Sequence, residues 1–203
     1  MNKNPYNMAV TLELAQESFA QRNPQTMAKF SDCLYDETTH CFTVPYLGQD
    51  YTVSYPAGEV TDAAHKEVDL ITAILLVHYL TGASGVALTN NWISFKELQG
   101  GSIYIDPFHK RAIQPMLKGF GTQPAAFTRT AALLGGQPAS FGDLSYRFPV
   151  LPRIPIILIL WQGDDEFPPN GNILFDQHAN TYLHTEDYAH LASQTVYALL
   201  KKI

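Results

Sequence analysis

Three consecutive carboxylates, Asp164, Asp165 and Glu166, follow two residues after the most apolar run of the chain, IPIILILW. Adjacent carboxylates repel one another unless they are solvated, paired or bound to a cation. A solvated loop meets that condition with no chemistry at all. A divalent cation meets it with chemistry: Asp164, Asp165, Glu166 and the later Asp176 offer hard oxygen ligands for Mg²⁺ or Mn²⁺, or for Zn²⁺ with His178, and the ion would activate a water. That reading is a metal-dependent hydrolase or lyase. It lacks an HExxH pattern, and His178 and His184 would fall on different faces of one helix.

A second set of residues points elsewhere. Eleven Tyr, eleven Phe and two Trp give the chain the means to wall a flat ligand. Trp92, Phe95, Trp161 and Phe167 would form such a wall, while His109, His178 and His184 would approach a metal as axial ligands of a corrinoid or other tetrapyrrole. A third reading makes the acidic turn a docking element for the basic surface of a partner protein. Nucleophilic catalysis has little support, because no G-x-S-x-G elbow occurs and Cys33 and Cys41 lack an activating setting. Walker and Rossmann glycine patterns are absent as well.

The elements that must position these groups are partly legible. Residues 154–161 read as a central strand, since a buried strand shows a continuous apolar run. Its end would deliver Trp161 and the three acids to a sheet edge, with Asn170-Gly171 reversing the chain into ILFD. Asp176 would cap a short helix through His184, and Thr185 would cap the last helix, whose first turn holds Glu186 and Asp187. That cap accounts for the second acidic turn. Residues 40–46 and 49–55 read as a hairpin about Leu47-Gly48-Gln49, whose glycine supplies a positive φ. A helix over 8–22 is followed by a second through Phe30, and HKEVDLITAILLVHYLTG carries a core helix stopped by Gly82 as a capping glycine. His78 on that helix reads as a core histidine. Asp106 and Pro107 suit the N-cap and first turn of a helix that would place His109, Lys110 and Arg111 at its mouth, a plain helix start or an anion site. Gly100-Gly101 reads as a turn, and 115–134 as one or two helices without evident chemistry.

Composition excludes several function classes. With 203 residues the chain can bury a sizeable core, and a 46% hydrophobic share with 16% charged residues is that of a globular protein. Thirteen Lys and Arg against nineteen Asp and Glu give a net charge of −6, the wrong sign for phosphate-backbone binding, so nucleic acid is not expected as a partner. Glutamates interrupt what would be the apolar core of a signal peptide, and the longest apolar run falls far short of the ~20 residues that span a bilayer. A cytoplasmic protein without membrane insertion is expected. Cys33 and Cys41 match no zinc or iron–sulfur spacing and read as core or surface thiols, with a disulfide or a pair of metal ligands as the alternatives.

The string LILWQGDDEFPPNGNILFDQHANTYLHTED, with NWISFKELQGGSIYIDPFHKRAIQP and FTVPYLGQDYTV, resembles an uncharacterised bacterial and archaeal family catalogued as a domain of unknown function. The resemblance covers nearly the whole chain and rests on an LW-x-GDEEFP-like turn, an LFD and a YL-x-TED; Asp165 stands here where Glu is commoner. It implies an anaerobic setting, because similar domains are fused to a four-cysteine iron–sulfur module in organisms using corrinoid chemistry. That module is absent from this sequence. The expectation is one α+β domain over 1–203, a small antiparallel sheet with packed helices, its cleft between the acidic turn and NWISFKELQGG. A cofactor-binding or accessory role leads, served by a small-molecule cofactor or another metabolic protein as partner. The metal-dependent enzyme and the interaction domain stand as alternatives.

Overall fold

A computed structural model describes residues 7–203, and its class is α+β. The sheet content is larger than one small sheet: two antiparallel sheets form, of four and five strands. The chain divides into two compact units, one running to Val86 and taking in Thr181–Leu183, the other comprising Ala87–Asn180 and His184–Ile203.

The first unit opens with α1 (Met8–Ala20) and α2 (Pro24–Ser31), separated by Asn23, whose side chain accepts the Thr26 N–H at 2.9 Å. Proline at the first helical position and asparagine at the cap are a pairing that starts a helix from sequence alone. Strands β1 (Leu34–Asp36), β2 (Cys41–Tyr46), β3 (Gln49–Ser54) and β4 (Val60–Thr61) lie in that order. The β2–β3 hairpin turns at Leu47 and Gly48, both with positive φ (49° and 77°), the backbone that a two-residue type I′ turn demands. Helix α3 (Leu70–Gly82) is capped by Asp69, and its Tyr79 hydroxyl donates to the Ser31 carbonyl at 2.6 Å. His78 is only half-buried on it. Gly82 does not act as a left-handed cap, because it is the last helical residue and Ala83 follows at φ −54°. The glycine is instead a close approach: a Cβ there would lie 2.5 Å from the Tyr182 carbonyl oxygen. Both cysteines are free thiols, and burial above all pushes the Cys33 thiol up to about 11, which leaves it unreactive.

In the second unit the sheet order is β5 (Trp92–Ser94), β9 (Asn170–Asp176), β8 (Ile154–Trp161), β7 (Leu144–Leu151) and β6 (Gln137–Pro138). Strand β8 is central, as its apolar run predicts, and both its faces are covered. On one face Phe175 meets Phe95, Phe108 and Tyr188, and Tyr146 meets Phe127, so the helices pack there. On the other, Ile157, Ile159 and Leu174 form a small cluster closed by Trp92 and Ala139.

Several local expectations are corrected. Helix α4 (Gly101–Phe108) starts well before Asp106, so Pro107 sits inside it and Asp106 is no cap. The proline removes the N–H that would reach the Ile103 carbonyl, a loss least costly at a residue as exposed as Ile103, 79%. A π-helical segment, His109–Ile113, then joins α4 to α5 (Gln114–Phe120), so His109 lies within a long helix and not at the mouth of one. Helix α6 (Pro124–Leu133) follows. Asn170-Gly171 opens strand β9, and the reversal falls in residues 162–169. Helix α7 (Thr185–Leu200) has His184 at its cap position, where the Asp187 carboxylate accepts the His184 N–H at 3.3 Å; the Thr185 hydroxyl turns away to donate to the Gln99 carbonyl at 2.6 Å.

Candidate functional site

The acidic turn is built by its first carboxylate. Asp164 Oδ1 accepts the N–H groups of Glu166 (2.9 Å) and Phe167 (2.8 Å), and the Asp164 N–H donates to the Phe167 carbonyl at 2.9 Å, which closes a tight loop. These contacts, that of Phe167 foremost, hold the Asp164 carboxyl below its ordinary range, so it stays negative. The loop is anchored where Asp143 accepts the Gln162 N–H at 2.8 Å. Gly163 is required by closeness: a Cβ there would meet the Pro169 ring and nitrogen at 2.7 Å.

Packed beside this loop is the corner between α5 and α6. Gly121, Thr122 and Pro124 face residues 162–169 across a concavity of about 610 Å³. A Cβ on Gly121 would come within 3.0 Å of Pro169 Cγ, so the corner glycine sets how closely the wall approaches. Asp165 and Glu166 are exposed and form no ion pair among the described residues; Phe167 is 66% exposed at the rim and Trp161, at the end of β8, 37%. The concavity is therefore a water-facing acidic surface with an apolar edge. Sequence reasoning missed its second wall, since Gly121, Thr122 and Pro124 carry no chemistry of their own and are brought here only by the fold.

The remaining candidates lie elsewhere. None of residues 90–101 lines the concavity, so the expected cleft with NWISFKELQGG does not form. Trp92 pairs with Asp176 at one end of β9, whereas Trp161 pairs with Asn170 at the other. Six residues of extended strand separate those ends, roughly 20 Å. Phe95 is fully buried, stacked on Phe108 with ring centroids 4.1 Å apart, and cannot wall an open pocket. His109 is exposed on the π-helical segment, His184 is exposed at the start of α7, and the half-buried His178 holds the Ala87 carbonyl through Nδ1 at 3.0 Å. These seven positions do not converge on a space for a planar ring.

Nor do the four acids form a chelate. Asp176 is 3% exposed, and its oxygens accept the N–H groups of Asn90 (2.7 Å), His178 (2.9 Å) and Thr89 (3.0 Å) together with the Thr89 hydroxyl. It pins the loop before β5, far from Asp164. Among the described residues no three His, Cys, Asp or Glu side chains are grouped so as to hold a metal ion.

A contact that sequence reasoning passed over joins α7 to the π-helical segment. Pro115 has no N–H to offer the Arg111 carbonyl four residues back, and that carbonyl accepts the Ser193 hydroxyl at 2.9 Å. The Arg111 guanidinium lies 3.4 Å from His190 Nε2. Burial first, then Arg111, lowers the affinity of His190 for a proton, against the opposing pull of Asp187.

No described helix is long and apolar enough to cross a membrane. Residues 23–198 match the family model of a domain of unknown function, DUF3786, and the chain belongs to that family. No curated protein and no solved structure matches it.

Proposed function

We propose, since membership of that family brings no activity with it, that the chain is an interaction domain whose acidic turn docks on a cationic surface with an apolar spot. The observation that carries this reading is the pairing of uncompensated Asp165 and Glu166 with an exposed Phe167 on the rim of one concavity. Charge supplies steering and register, and the aromatic ring supplies the desolvated centre that contacts of this kind need. The planar-cofactor and metal-hydrolase readings each require groups to converge that the fold keeps roughly 20 Å apart.

The reading is tested by fluorescence anisotropy with a labelled peptide of alternating Lys and Leu, against a Glu/Leu control. The basic peptide should bind and the control should not. Each of D165N and E166Q should weaken binding by about two- to fivefold, as expected of exposed ion pairs. F167A should weaken it by about tenfold, the equivalent of losing a buried apolar side chain worth ~1.5 kcal/mol. Raising salt from about 50 to 500 mM should weaken the wild type more than D165N/E166Q. Binding that ignores all three substitutions would overturn the reading.

A further inference from the structure

The unit that carries the acidic concavity also carries a groove of opposite sign. It runs between α5 and α7, holds about 570 Å³, and is lined by Lys110, Gln114, Lys118, Gly119, Tyr197 and Leu200 among others. Its formation follows from two sequence features. A Cβ on Gly119 would fall 2.1 Å from Leu200 Cδ2, so glycine lets the two helices close, and Lys110, Gln114 and Lys118 line the groove with them. The Ser193 hydroxyl on the carbonyl that Pro115 leaves open ties α7 to the π-helical segment at the Lys110 end.

No carboxylate lines this groove, although the chain has nineteen acids and only thirteen Lys and Arg. Lys110 and Lys118 form no ion pair among the described residues. Pro115, Tyr197 and Leu200 make the rest of the lining largely apolar, and Tyr197 remains 48% exposed. Two cations beside an apolar lining are the complement of two anions beside an exposed phenylalanine. The end of α5 contributes to both surfaces: Lys118 and Gly119 line the groove, Gly121 and Thr122 the concavity.

Resting on the reading of the turn as a docking element, we propose that its partner is a second copy of this chain, with Asp165, Glu166 and Phe167 of each copy seated in the other's groove of Lys110, Lys118, Tyr197 and Leu200. Both surfaces lie on one unit and draw on the end of one helix, and in a two-fold dimer each copy gives its turn to the other's groove, so the two contacts close the assembly. The residues involved are fewer than the 20–30 a side of a standard stable interface, and each copy carries a charge of −6 that opposes association. The dimer is accordingly a weak one, dissociating in the micromolar range or above.

Sedimentation velocity of the full chain, from about 5 to 500 μM at moderate salt, should show a concentration-dependent monomer–dimer equilibrium. K110E/K118E and D165K/E166K should each weaken it at least tenfold, with unchanged circular dichroism and thermal midpoint showing that each still folds. Mixing the two variants should restore a heterodimer, because the acidic turn of the first meets the intact basic groove of the second while the basic turn of the second meets the acidic groove of the first. A wild type that stays monomeric throughout, a dimer indifferent to both variants, or a mixture that fails to associate would overturn the proposal. The peptide assay separates the two failures: monomeric wild type with peptide binding still sensitive to Asp165 and Glu166 leaves the docking reading standing and removes only the second copy, whereas loss of both removes both.

Discussion

Replacing Asp176 by asparagine should cost stability and leave the acidic turn untouched. The carboxylate is 3% exposed and both its oxygens are in use: Oδ2 takes the N–H groups of Thr89 and Asn90, and Oδ1 that of His178. An amide has one acceptor oxygen, so its NH₂ must face either the pair from residues 89 and 90 or the single donor of residue 178. Either arrangement strands at least one part-buried N–H and weakens the others by removing the charge. A hydrogen bond to a charged group contributes roughly 1.5–3 kcal/mol and a stranded buried donor costs about 1–3 kcal/mol; these overlap, and a net loss of about 3–5 kcal/mol is expected. At about 2–4 °C per kcal/mol for a chain of this size, the thermal midpoint should fall by roughly 6–20 °C. Denaturant unfolding gives the free energy, and amide hydrogen exchange at Thr89, Asn90 and His178 shows where it is lost. Binding of the basic peptide should not change. A loss below about 1 kcal/mol with those three amides still protected would refute the structural role assigned to Asp176.

Three further outcomes follow from the geometry. Gly82→Ala should destabilise by about 1–3 kcal/mol in denaturant unfolding despite alanine's higher helix propensity, because its Cβ would meet the Tyr182 carbonyl oxygen at 2.5 Å and backbone cannot move aside cheaply. Asp164 has a carboxyl held below its ordinary value of 3.8, so its contribution to closing the turn is complete above that pH and is lost as pH falls through the lower folded value. Amide exchange at Glu166 and Phe167, corrected for intrinsic rates, should therefore accelerate below about pH 4, and in D164A should be fast at every pH. His190 binds its proton below its ordinary value of 6.5, so the stability that it contributes as a neutral group is present above that pH and declines as pH falls towards the folded value. Arg111→Gln should move the His190 titration upwards, as read from its ring proton by NMR, because a nearby positive charge is removed while Asp187 remains.

Elements governed by neighbours in sequence were legible without coordinates. Asn23-Pro24 marks the break between α1 and α2 by the proline's fixed φ, Gly48 marks the hairpin by supplying a positive φ, and the unbroken apolar run of β8 marks a strand covered on both faces. Each signal depends on contacts within a few residues. Where the outcome turned on what lay across space, residue type was ambiguous. Pro107 reads as a helix start but is accommodated inside α4, where the residue whose carbonyl it deprives is strongly exposed. Gly82 reads as a cap but serves an approach to Tyr182.

The acidic turn divides the same way. Asp164, Asp165 and Glu166 after an apolar strand announce an exposed anionic loop, because three charges in a row cannot be buried without partners, and that much follows from composition and spacing. Which groups share the site is a matter of strand register and helix packing. Pairing Trp161 with Asn170 and Trp92 with Asp176 sets the two tryptophans at opposite ends of β9, and the α5–α6 corner, silent as sequence, becomes the facing wall. A carboxylate poised for a ligand and one consumed by four backbone and hydroxyl donors are the same letter in a sequence. Only the tertiary structure, by deciding which N–H groups reach Asp176 and leaving Asp165 and Glu166 in water, tells them apart.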